Sequence, residues 1–192
     1  MDTTLELGLI PGSLRAESVT RRLAHVLAGL TPSLFHGRVL EIGDLPLYNE
    51  DLDVGMTTTP PAPWTRFRNE VRRCDAVLFV TPEYNRSVPA PLKNAVDVGS
   101  APHGQGAFTG TPAAIISASP GRMGAFGANH HLRQSLVFLD MPTMAQPELY
   151  LGDSDRLFDP AGRLRHEDMR DRLVAYLTAF SAWCHRQIRV PA

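Results

Sequence analysis

Two stretches of the sequence, "AVLFV" at residues 76–80 and "PAAIISA" at residues 112–118, are apolar at nearly every position. This composition is typical of a strand that is buried on both faces, whereas a strand with one solvated face alternates apolar and polar residues. Strands of the doubly buried kind occur in parallel sheets that carry helices on both sides. The two stretches therefore predict a protein of the α/β class.

The rest of the chain supports this class, because short apolar runs alternate with longer amphipathic segments. The pattern predicts five strands, at residues 4–10, 38–42, 76–80, 112–118 and 145–152. It predicts five helices, at residues 19–30, 64–74, 91–99, 129–140 and 166–188. The sequence shows no internal repeat and no linker-like stretch, so we expect a single domain over residues 1–192.

Composition narrows the possible partners and the compartment. The formal net charge of -1 provides no general attraction to nucleic acid or to an anionic membrane. The first residues lack the basic start and apolar run of a signal peptide, and no apolar stretch reaches the length of a membrane span. Cys74 and Cys184 lack the spacing of a metal knuckle or a redox pair, which favours reduced, buried thiols. We therefore expect a cytoplasmic protein without a nucleic-acid or membrane partner.

Three loops of this predicted sheet carry unusual chemistry. Sheets of this kind bind ligands beyond the carboxyl ends of their strands, where the strand order reverses. Residues 11–18, 81–89 and 117–126 follow the first, third and fourth predicted strands. We therefore expect these three loops to meet and to form one binding site.

The first loop, "GSLRAESVT", leads into a predicted helix and has the composition of an anion site. Gly12 permits a close backbone approach, and the helix amino terminus exposes unpaired amides. Hydroxyl donors are present at Ser13, Ser18 and Thr20, and Arg15 carries a charged fork suited to phosphate oxygens. The alternative, in which Ser18 is only a helix cap and Arg15 only a solvated side chain, is equally consistent with this loop.

The second loop, within "TPEYNRSVPAPLKNAVD", is suited to a planar ring. Pro82 fixes the exit from the preceding strand, and Tyr84 or Asn85 can pack against a heterocycle or hydrogen-bond to it. Glu83 has the chemistry of a general acid or base. We favour a structural role for its carboxylate, because no histidine or second carboxylate adjoins it in the sequence.

Three stretches together resemble the NADPH-dependent FMN reductase family, which includes bacterial quinone, chromate and azo-dye reductases. They are "GSLRAESVTRRLA", "TPEYNRSVPAPLKNAVD" and "AAIISASPGRMGAFGANHHLRQSLVFLDMP". The resemblance extends from about residue 5 to residue 150. It implies a flavodoxin-like three-layer sandwich, with a five-stranded parallel sheet of order 2-1-3-4-5 and helices on both faces. It also implies FMN as cofactor, NADPH or NADH as co-substrate, and a homodimer or homotetramer.

The resemblance also assigns roles to particular residues. The FMN phosphate would be held by the first loop, and the ribityl chain and the isoalloxazine ring by the second and third loops. The residues so implied are Ser13, Arg15, Ser18, Thr20, Pro82, Glu83, Tyr84, Asn85, Ser117, Ser119 and Gly121. Two positions depart from the family pattern: Thr20 stands where many members have asparagine, and Val98 replaces a common tryptophan.

The implied activity passes hydride from NAD(P)H through bound FMN to a quinone or similar small acceptor, in a ping-pong cycle. No catalytic side chain and no metal is expected, because the flavin carries the redox chemistry. Residues 44–60 and 99–110 are predicted to form the substrate mouth. One alternative is a flavodoxin-type electron carrier without NAD(P)H activity of its own, although such carriers are usually strongly acidic. Another is a flavin-free regulatory protein on the same fold.

Overall fold

The computed structural model describes residues 4–31, 33–53 and 59–188. Within these ranges, five strands alternate with five α-helices, as the sequence predicts. The elements are β1 (Leu5–Pro11), α1 (Val19–Leu30), β2 (Phe35–Val39), α2 (Ala62–Arg72), β3 (Ala76–Thr81), α3 (Ala90–Ser100), β4 (Ala113–Ala118), α4 (Phe126–Phe138), β5 (Leu149–Leu151) and α5 (Glu167–Ile188). Two short 3₁₀ turns, Glu50–Leu52 and Ser154–Arg156, complete the described secondary structure.

The five strands form one parallel sheet in the order β2-β1-β3-β4-β5. This is the flavodoxin-like order, so the predicted fold class is confirmed. Every residue of β3 and β4 is buried, which explains the two apolar runs in the sequence. The chain leaves β1 toward one edge of the sheet and returns to β3 on the other side of β1. The order therefore reverses between β1 and β3, where ligands bind in sheets of this type.

Two apolar cores lie on opposite faces of the sheet, because side chains along a strand point alternately to its two sides. Leu78 and Val80 of β3 pack with α1 and α5. Val77 and Phe79 pack with α2, α3 and α4. The result is the three-layer arrangement that the sequence predicts. None of the described helices combines the length and the apolar character that crossing a membrane requires.

The second strand differs from its predicted position, residues 38–42. In the structure β2 spans Phe35–Val39 and pairs with β1 from Leu5 to Leu9. Gly37 lies so close to α1 that a Cβ there would come within 2.7 Å of the Ala28 Cα. Leu40 and Ile42 produced the apolar signal, but they are buried in the core shared with α2 and α3. Their apolar character therefore reflects core packing beyond the end of the strand.

Two other boundaries also differ from the prediction. The predicted last strand, residues 145–152, shortens to Leu149–Leu151. Residues 145–147 are exposed, and Pro147 has no amide hydrogen to give to a sheet. The fourth helix begins at Phe126, earlier than the predicted residue 129. Its first turn is stabilised by a side chain from a distant loop, which a local sequence pattern does not reveal.

Candidate functional site

A cavity of about 210 Å³ lies beyond the carboxyl ends of β1, β3 and β4. The loops after these three strands line it together with the 3₁₀ turn that follows β5. The lining residues are Ser13, Arg15, Ser18, Val19, Thr20, Pro82, Glu83, Tyr84, Ala118, Ser119, Pro120, Ser154 and Asp155. The three loops that the sequence singled out therefore meet at one place in the fold.

Gly12 allows the first two loops to pack directly against each other. A Cβ at this position would lie 3.0 Å from the Pro82 Cδ and 3.1 Å from a Leu92 methyl carbon. The Gly12 amide also donates a hydrogen bond to the Val80 carbonyl at 2.8 Å, which extends the β1–β3 pairing into the loop. The absence of a side chain is therefore what brings the start of the first loop against the proline of the second.

The amino terminus of α1 presents hydrogen-bond donors to this cavity. The Ser18 hydroxyl caps the helix by accepting from the Arg21 amide at 3.3 Å, and it lies 2.9 Å from the Thr20 hydroxyl. Among the described residues, no acceptor is present for the amides of Val19 and Thr20. Free amides and the helix dipole at such a terminus favour an anion. Ser18 therefore fits both interpretations of the loop, as a cap and as a wall of an anion site.

Arg15 is the cationic side chain of the cavity. It is exposed, and its guanidinium takes part in none of the hydrogen bonds or ion pairs formed within residues 4–31, 33–53 and 59–188. Its amide donates to the Ser13 hydroxyl at 3.4 Å. That hydroxyl lies 3.3 Å from the Tyr84 phenol oxygen, so Ser13 connects the first loop to the second. The guanidinium retains all of its donors for a ligand.

Glu83 stabilises the start of α4. Its Oε2 accepts a hydrogen bond from the Ala128 amide at 3.1 Å, in the first turn of that helix. The residue at the cap position, Ala125, has no side-chain acceptor of its own. A carboxylate at a helix amino terminus also interacts favourably with the helix dipole. This contact agrees with the structural role that we favour for Glu83, although the residue also lines the cavity.

A tight turn follows Glu83. Tyr84 and Ser87 exchange two backbone hydrogen bonds, at 3.1 and 3.0 Å. Between them Asn85 and Arg86 have φ values of 51° and 65°, a left-handed conformation that costs non-glycine residues about 1–3 kcal/mol each. His131 of α4 hydrogen-bonds the Ser87 hydroxyl at 3.0 Å and supports the turn. The turn leaves Tyr84 half exposed at the cavity and places Asn85 at its tip, outside the lining.

The third loop is organised from beneath. Ser117 is fully buried, and its hydroxyl donates to the Gly124 carbonyl at 2.7 Å. The Ser119 hydroxyl donates to the Gly121 carbonyl and accepts from the Ala125 amide, both at 3.1 Å. Ser119 lines the cavity, whereas Ser117 and Gly121 do not. These two residues shape the loop without facing the cavity.

The NADPH-dependent FMN reductase family model matches residues 5–155, which include every residue that lines this cavity. The chain belongs to the NADPH-dependent FMN reductase family. It is therefore an oxidoreductase with FMN as cofactor and NAD(P)H as co-substrate, and the resemblance, the enzyme class and the cofactors inferred from the sequence are confirmed.

Relatives within the family match this enzyme over nearly their whole length. A quinone reductase from Pseudomonas putida is 54% identical over 183 residues, covering 95% of this chain and 96% of the relative. A 2-hydroxy-1,4-benzoquinone reductase from Burkholderia is 40% identical over 179 residues, covering 93% and 96%. The structure of FerB, a flavoenzyme NAD(P)H:(acceptor) oxidoreductase from Paracoccus denitrificans, superposes with a TM-score of 0.86. The two sequences are 34% identical, and the match covers 96% of this chain and 99% of FerB.

The cavity fits one end of FMN. Free amides, hydroxyls and an unpaired guanidinium are the donors that a phosphate monoester requires. Its volume of about 210 Å³ is below the several hundred Å³ typical of complete small-molecule sites. It therefore suits the phosphate and part of the ribityl chain, and is too small for the whole cofactor.

The two departures from the family pattern have different consequences. Thr20 is buried and directs a hydroxyl to Ser18, so the position still supplies a polar group at the cavity. Val98 is fully buried in α3, within the core shared with α2 and α4. Its carbonyl accepts a hydrogen bond from the Arg68 Nε at 2.8 Å. The valine therefore fills core space and does not line the cavity.

Sequence reasoning missed several lining residues, above all those of the turn after β5. Ser154 and Asp155 reach the cavity because the Ser154 amide donates to the Ser119 carbonyl at 3.1 Å. A signal was present, since the polar run "DSD" follows the last predicted strand and that strand also ends at the ligand-binding edge.

The segments predicted to form the substrate mouth line two other openings. Open clefts of about 580 and 590 Å³ are both bordered by Glu50 and His103. Neither shares a lining residue with the smaller cavity. Residues 54–58 of the predicted mouth lie outside the described residues.

Proposed function

We propose that this enzyme catalyses reduction of a quinone by NAD(P)H, with FMN held at the cavity between α1 and the second and third loops. The overall reaction converts NAD(P)H, a proton and the quinone into NAD(P)⁺ and the hydroquinone. FMN, when bound, supplies the redox chemistry by accepting a hydride from NAD(P)H and returning two electrons to the acceptor. The observation that carries the proposal is the cluster of unpaired donors on Arg15 and at the α1 amino terminus.

The protein's part in this reaction is to bind and orient. Ser13, Arg15, Ser18 and Thr20 would hold the phosphate, with the free amides at the start of α1. Pro82, Glu83, Tyr84 and Ser119 would border the rest of the cofactor. We assign Asn85, Ser117 and Gly121 to shaping the loops, in view of their hydrogen bonds and backbone angles. Donors fixed before the ligand arrives bind charge without the cost of reorganisation.

A quinone is the proposed acceptor because both curated relatives described above are quinone reductases by name, at 54% and 40% identity. Family membership alone does not select an acceptor, since the same site can serve several. A steady-state comparison of benzoquinones, azo dyes, chromate and free FMN tests this choice. We expect the highest kcat/KM for a benzoquinone, and a higher value for any other class would reject it.

We further propose a cytoplasmic homodimer or homotetramer with no nucleic-acid partner. The near-neutral net charge of -1 and the two buried thiols support the compartment and the absence of nucleic acid. Val137 and Phe138 at the end of α4 are 72% and 87% exposed, which favours burial against another subunit. Light scattering of the purified enzyme tests the assembly, and a monomer at micromolar concentration would reject it.

The central experiment follows the flavin colour under anaerobic conditions. Stoichiometric NADPH, and in parallel NADH, is added to the FMN-loaded enzyme, and a benzoquinone is added afterwards. We expect direct bleaching by at least one nicotinamide, followed by full recovery of the yellow colour with one equivalent of quinone. A protein that bleaches only when a separate reductase is present would be an electron carrier and would refute the proposal.

A further inference from the structure

Asp155 is a carboxylate in the wall of a cavity that is otherwise suited to an anion. Its position is fixed by its backbone, because the neighbouring Ser154 is buried and donates its amide to the Ser119 carbonyl at 3.1 Å. The Asp155 side chain is exposed. Within the described part of the chain, it forms neither a hydrogen bond nor an ion pair, with Arg15 or with any other residue.

The charges that line the cavity make this placement informative. Three lining residues have acidic or strongly basic side chains, Arg15, Glu83 and Asp155. Glu83 already accepts the Ala128 amide, so Arg15 and Asp155 remain as an unpaired cation and an unpaired anion on one small cavity. A bare anion would gain from Arg15 and from α1, but the carboxylate of Asp155 would repel it. The lining is therefore poorly matched to phosphate alone.

A ligand with an anionic end and several hydroxyl groups would match both side chains. An ionised carboxylate is only an acceptor, and hydroxyl groups are donors that form short, charge-assisted hydrogen bonds with it. Hydroxyls next to a phosphate would satisfy Asp155 while the phosphate satisfies Arg15. The ribityl chain of FMN has this chemistry.

We propose that Asp155 accepts hydrogen bonds from the ribityl hydroxyls of FMN and makes the cavity selective for a phosphorylated polyol over a free anion. This inference rests on the proposed function, which places the phosphate end of FMN in the same cavity. It assigns to Asp155 a binding and specificity role that is separate from the phosphate contacts of Ser13, Arg15 and Ser18.

The test measures ligand affinity of the FMN-free enzyme and does not depend on turnover. Flavin fluorescence gives the dissociation constants of FMN and riboflavin, and competition against FMN gives that of inorganic phosphate. The variants are Asp155→Ala, Asp155→Asn and, as a control with the same charge change, Asp171→Asn. Asp171 is exposed on α5 and does not line the cavity.

We expect Asp155→Ala to weaken riboflavin binding by about 10-fold or more, because the ribityl chain loses its acceptor. FMN binding should weaken by a smaller factor, because removal of the carboxylate also relieves repulsion of the FMN phosphate. Inorganic phosphate should bind more tightly to the same variant, since the repelling charge is gone. Asp155→Asn should fall between wild type and Asp155→Ala, because its amide oxygen still accepts. The Asp171→Asn control should leave all three affinities unchanged.

Three results would overturn the inference. One is unchanged or tighter FMN binding by Asp155→Ala, which would make the carboxylate only a source of repulsion. Another is weaker FMN binding with unchanged riboflavin binding, which would place its effect at the phosphate. A wild-type enzyme that binds no FMN would refute the proposed function as well, whereas the first two results leave that function intact. Thermal unfolding of each variant verifies that it is folded. If Asp155→Ala does not fold, the affinities of Asp155→Asn test the inference in its place.

Discussion

The Glu83 carboxylate accepts a hydrogen bond from the Ala128 amide at 3.1 Å, although the two residues lie 45 positions apart in the sequence. The contact joins the loop after β3, which borders the cavity through Tyr84, to the first turn of α4. That turn follows the third loop, which borders the cavity through Ser119. At 14% side-chain exposure, the carboxylate is largely shielded from water, which strengthens its interaction with the helix amino terminus. One hydrogen bond thus fixes two walls of the site relative to each other.

Glu83→Ala is expected to destabilise the fold by about 1–2 kcal/mol, the range for losing a helix cap with its charge. FMN should also bind more weakly, because the two loops lose their shared anchor. Urea unfolding and FMN titration measure the two effects, and amide exchange in the absence of FMN should accelerate at residues 126–128. Glu83→Gln keeps an acceptor oxygen and should recover part of both losses. Equal behaviour of the Ala and Gln variants would argue against the contact.

Ser13→Ala combined with Arg15→Ala is expected to weaken FMN retention strongly. Charge-assisted hydrogen bonds contribute roughly 1.5–3 kcal/mol each, so the dissociation constant should rise by about 100-fold or more. Stability without FMN should fall by only about 1 kcal/mol, from loss of the Ser13 hydroxyl that lies 3.3 Å from the Tyr84 phenol oxygen. Arg15 should add little to this loss, because it is exposed and its guanidinium forms no hydrogen bond or ion pair with the described residues.

The measurement for this pair of substitutions is flavin fluorescence during titration, together with FMN content after gel filtration. Arg170→Ala is the matched control, since it removes one exposed positive charge on α5. A double variant that retains FMN as well as this control would show that the phosphate lies elsewhere.

The sequence predicts most of this fold because its strongest signals are local. β3 and β4 are buried at every residue, so their apolar runs identify a covered parallel sheet. α1 follows directly from helical spacing after the Ser18 cap. Once the sheet is parallel, the loops after its strands must lie along one edge. The convergence of the first three loops at the cavity follows from that geometry.

What the sequence does not predict depends on contacts between distant residues. The start of α4 is stabilised by Glu83, so nothing near residue 126 marks it. Asn85 and Ser117 fall within the predicted loops, but a strained turn and a buried hydrogen bond direct them away from the cavity. Asp155 enters the site only because its turn packs against the carbonyl of Ser119. Each case is a tertiary contact that overrides a local interpretation.

A buried ion pair anchors the segment after β2 to the helices α2 and α3. Arg68 of α2 donates from both terminal nitrogens to Asp53, at 2.8 and 2.7 Å, and the two side chains are only 6% and 1% exposed. The Arg68 Nε also donates to the Val98 carbonyl, and the guanidinium lies 5.7 Å from the Trp64 ring centroid. Removing either partner would leave an uncompensated charge in the interior.

Asp53→Asn is therefore expected to destabilise the enzyme by about 3–5 kcal/mol. The control is Asp97→Asn, which breaks the Lys93–Asp97 pair, whose side chains are 50% and 40% exposed. That change should cost less than about 1 kcal/mol, because solvent screens exposed pairs. Urea unfolding compares the stabilities of the Asp53→Asn and Asp97→Asn variants. Similar midpoints would mean that water reaches the Arg68–Asp53 pair.

Both cysteines are expected to be unreactive in the folded enzyme. Cys184 is fully buried, and burial raises the pKa of its thiol to about 12. Burial also raises the pKa of Cys74, although a hydrogen bond from Arg38 partly opposes the shift. The thiolate is the reactive form, so raised pKa values keep its population very small at neutral pH. A thiol reagent should therefore label neither cysteine rapidly at neutral pH without denaturant. In urea, where the protein is unfolded, it should label both cysteines rapidly.

The order of labelling provides a sharper form of the same prediction. Cys74 retains 9% exposure against 0% for Cys184, and the hydrogen bond from Arg38 opposes the rise of the Cys74 pKa. Cys74 should therefore react first as the pH rises, whereas Cys184 should react only through unfolding, at a rate independent of reagent concentration when labelling outpaces refolding. Cys74→Ala and Cys184→Ala assign the two phases. Rapid labelling of Cys184 in the native enzyme would contradict the packing of α5 against the sheet, because Cys184 lies on the buried face of that helix.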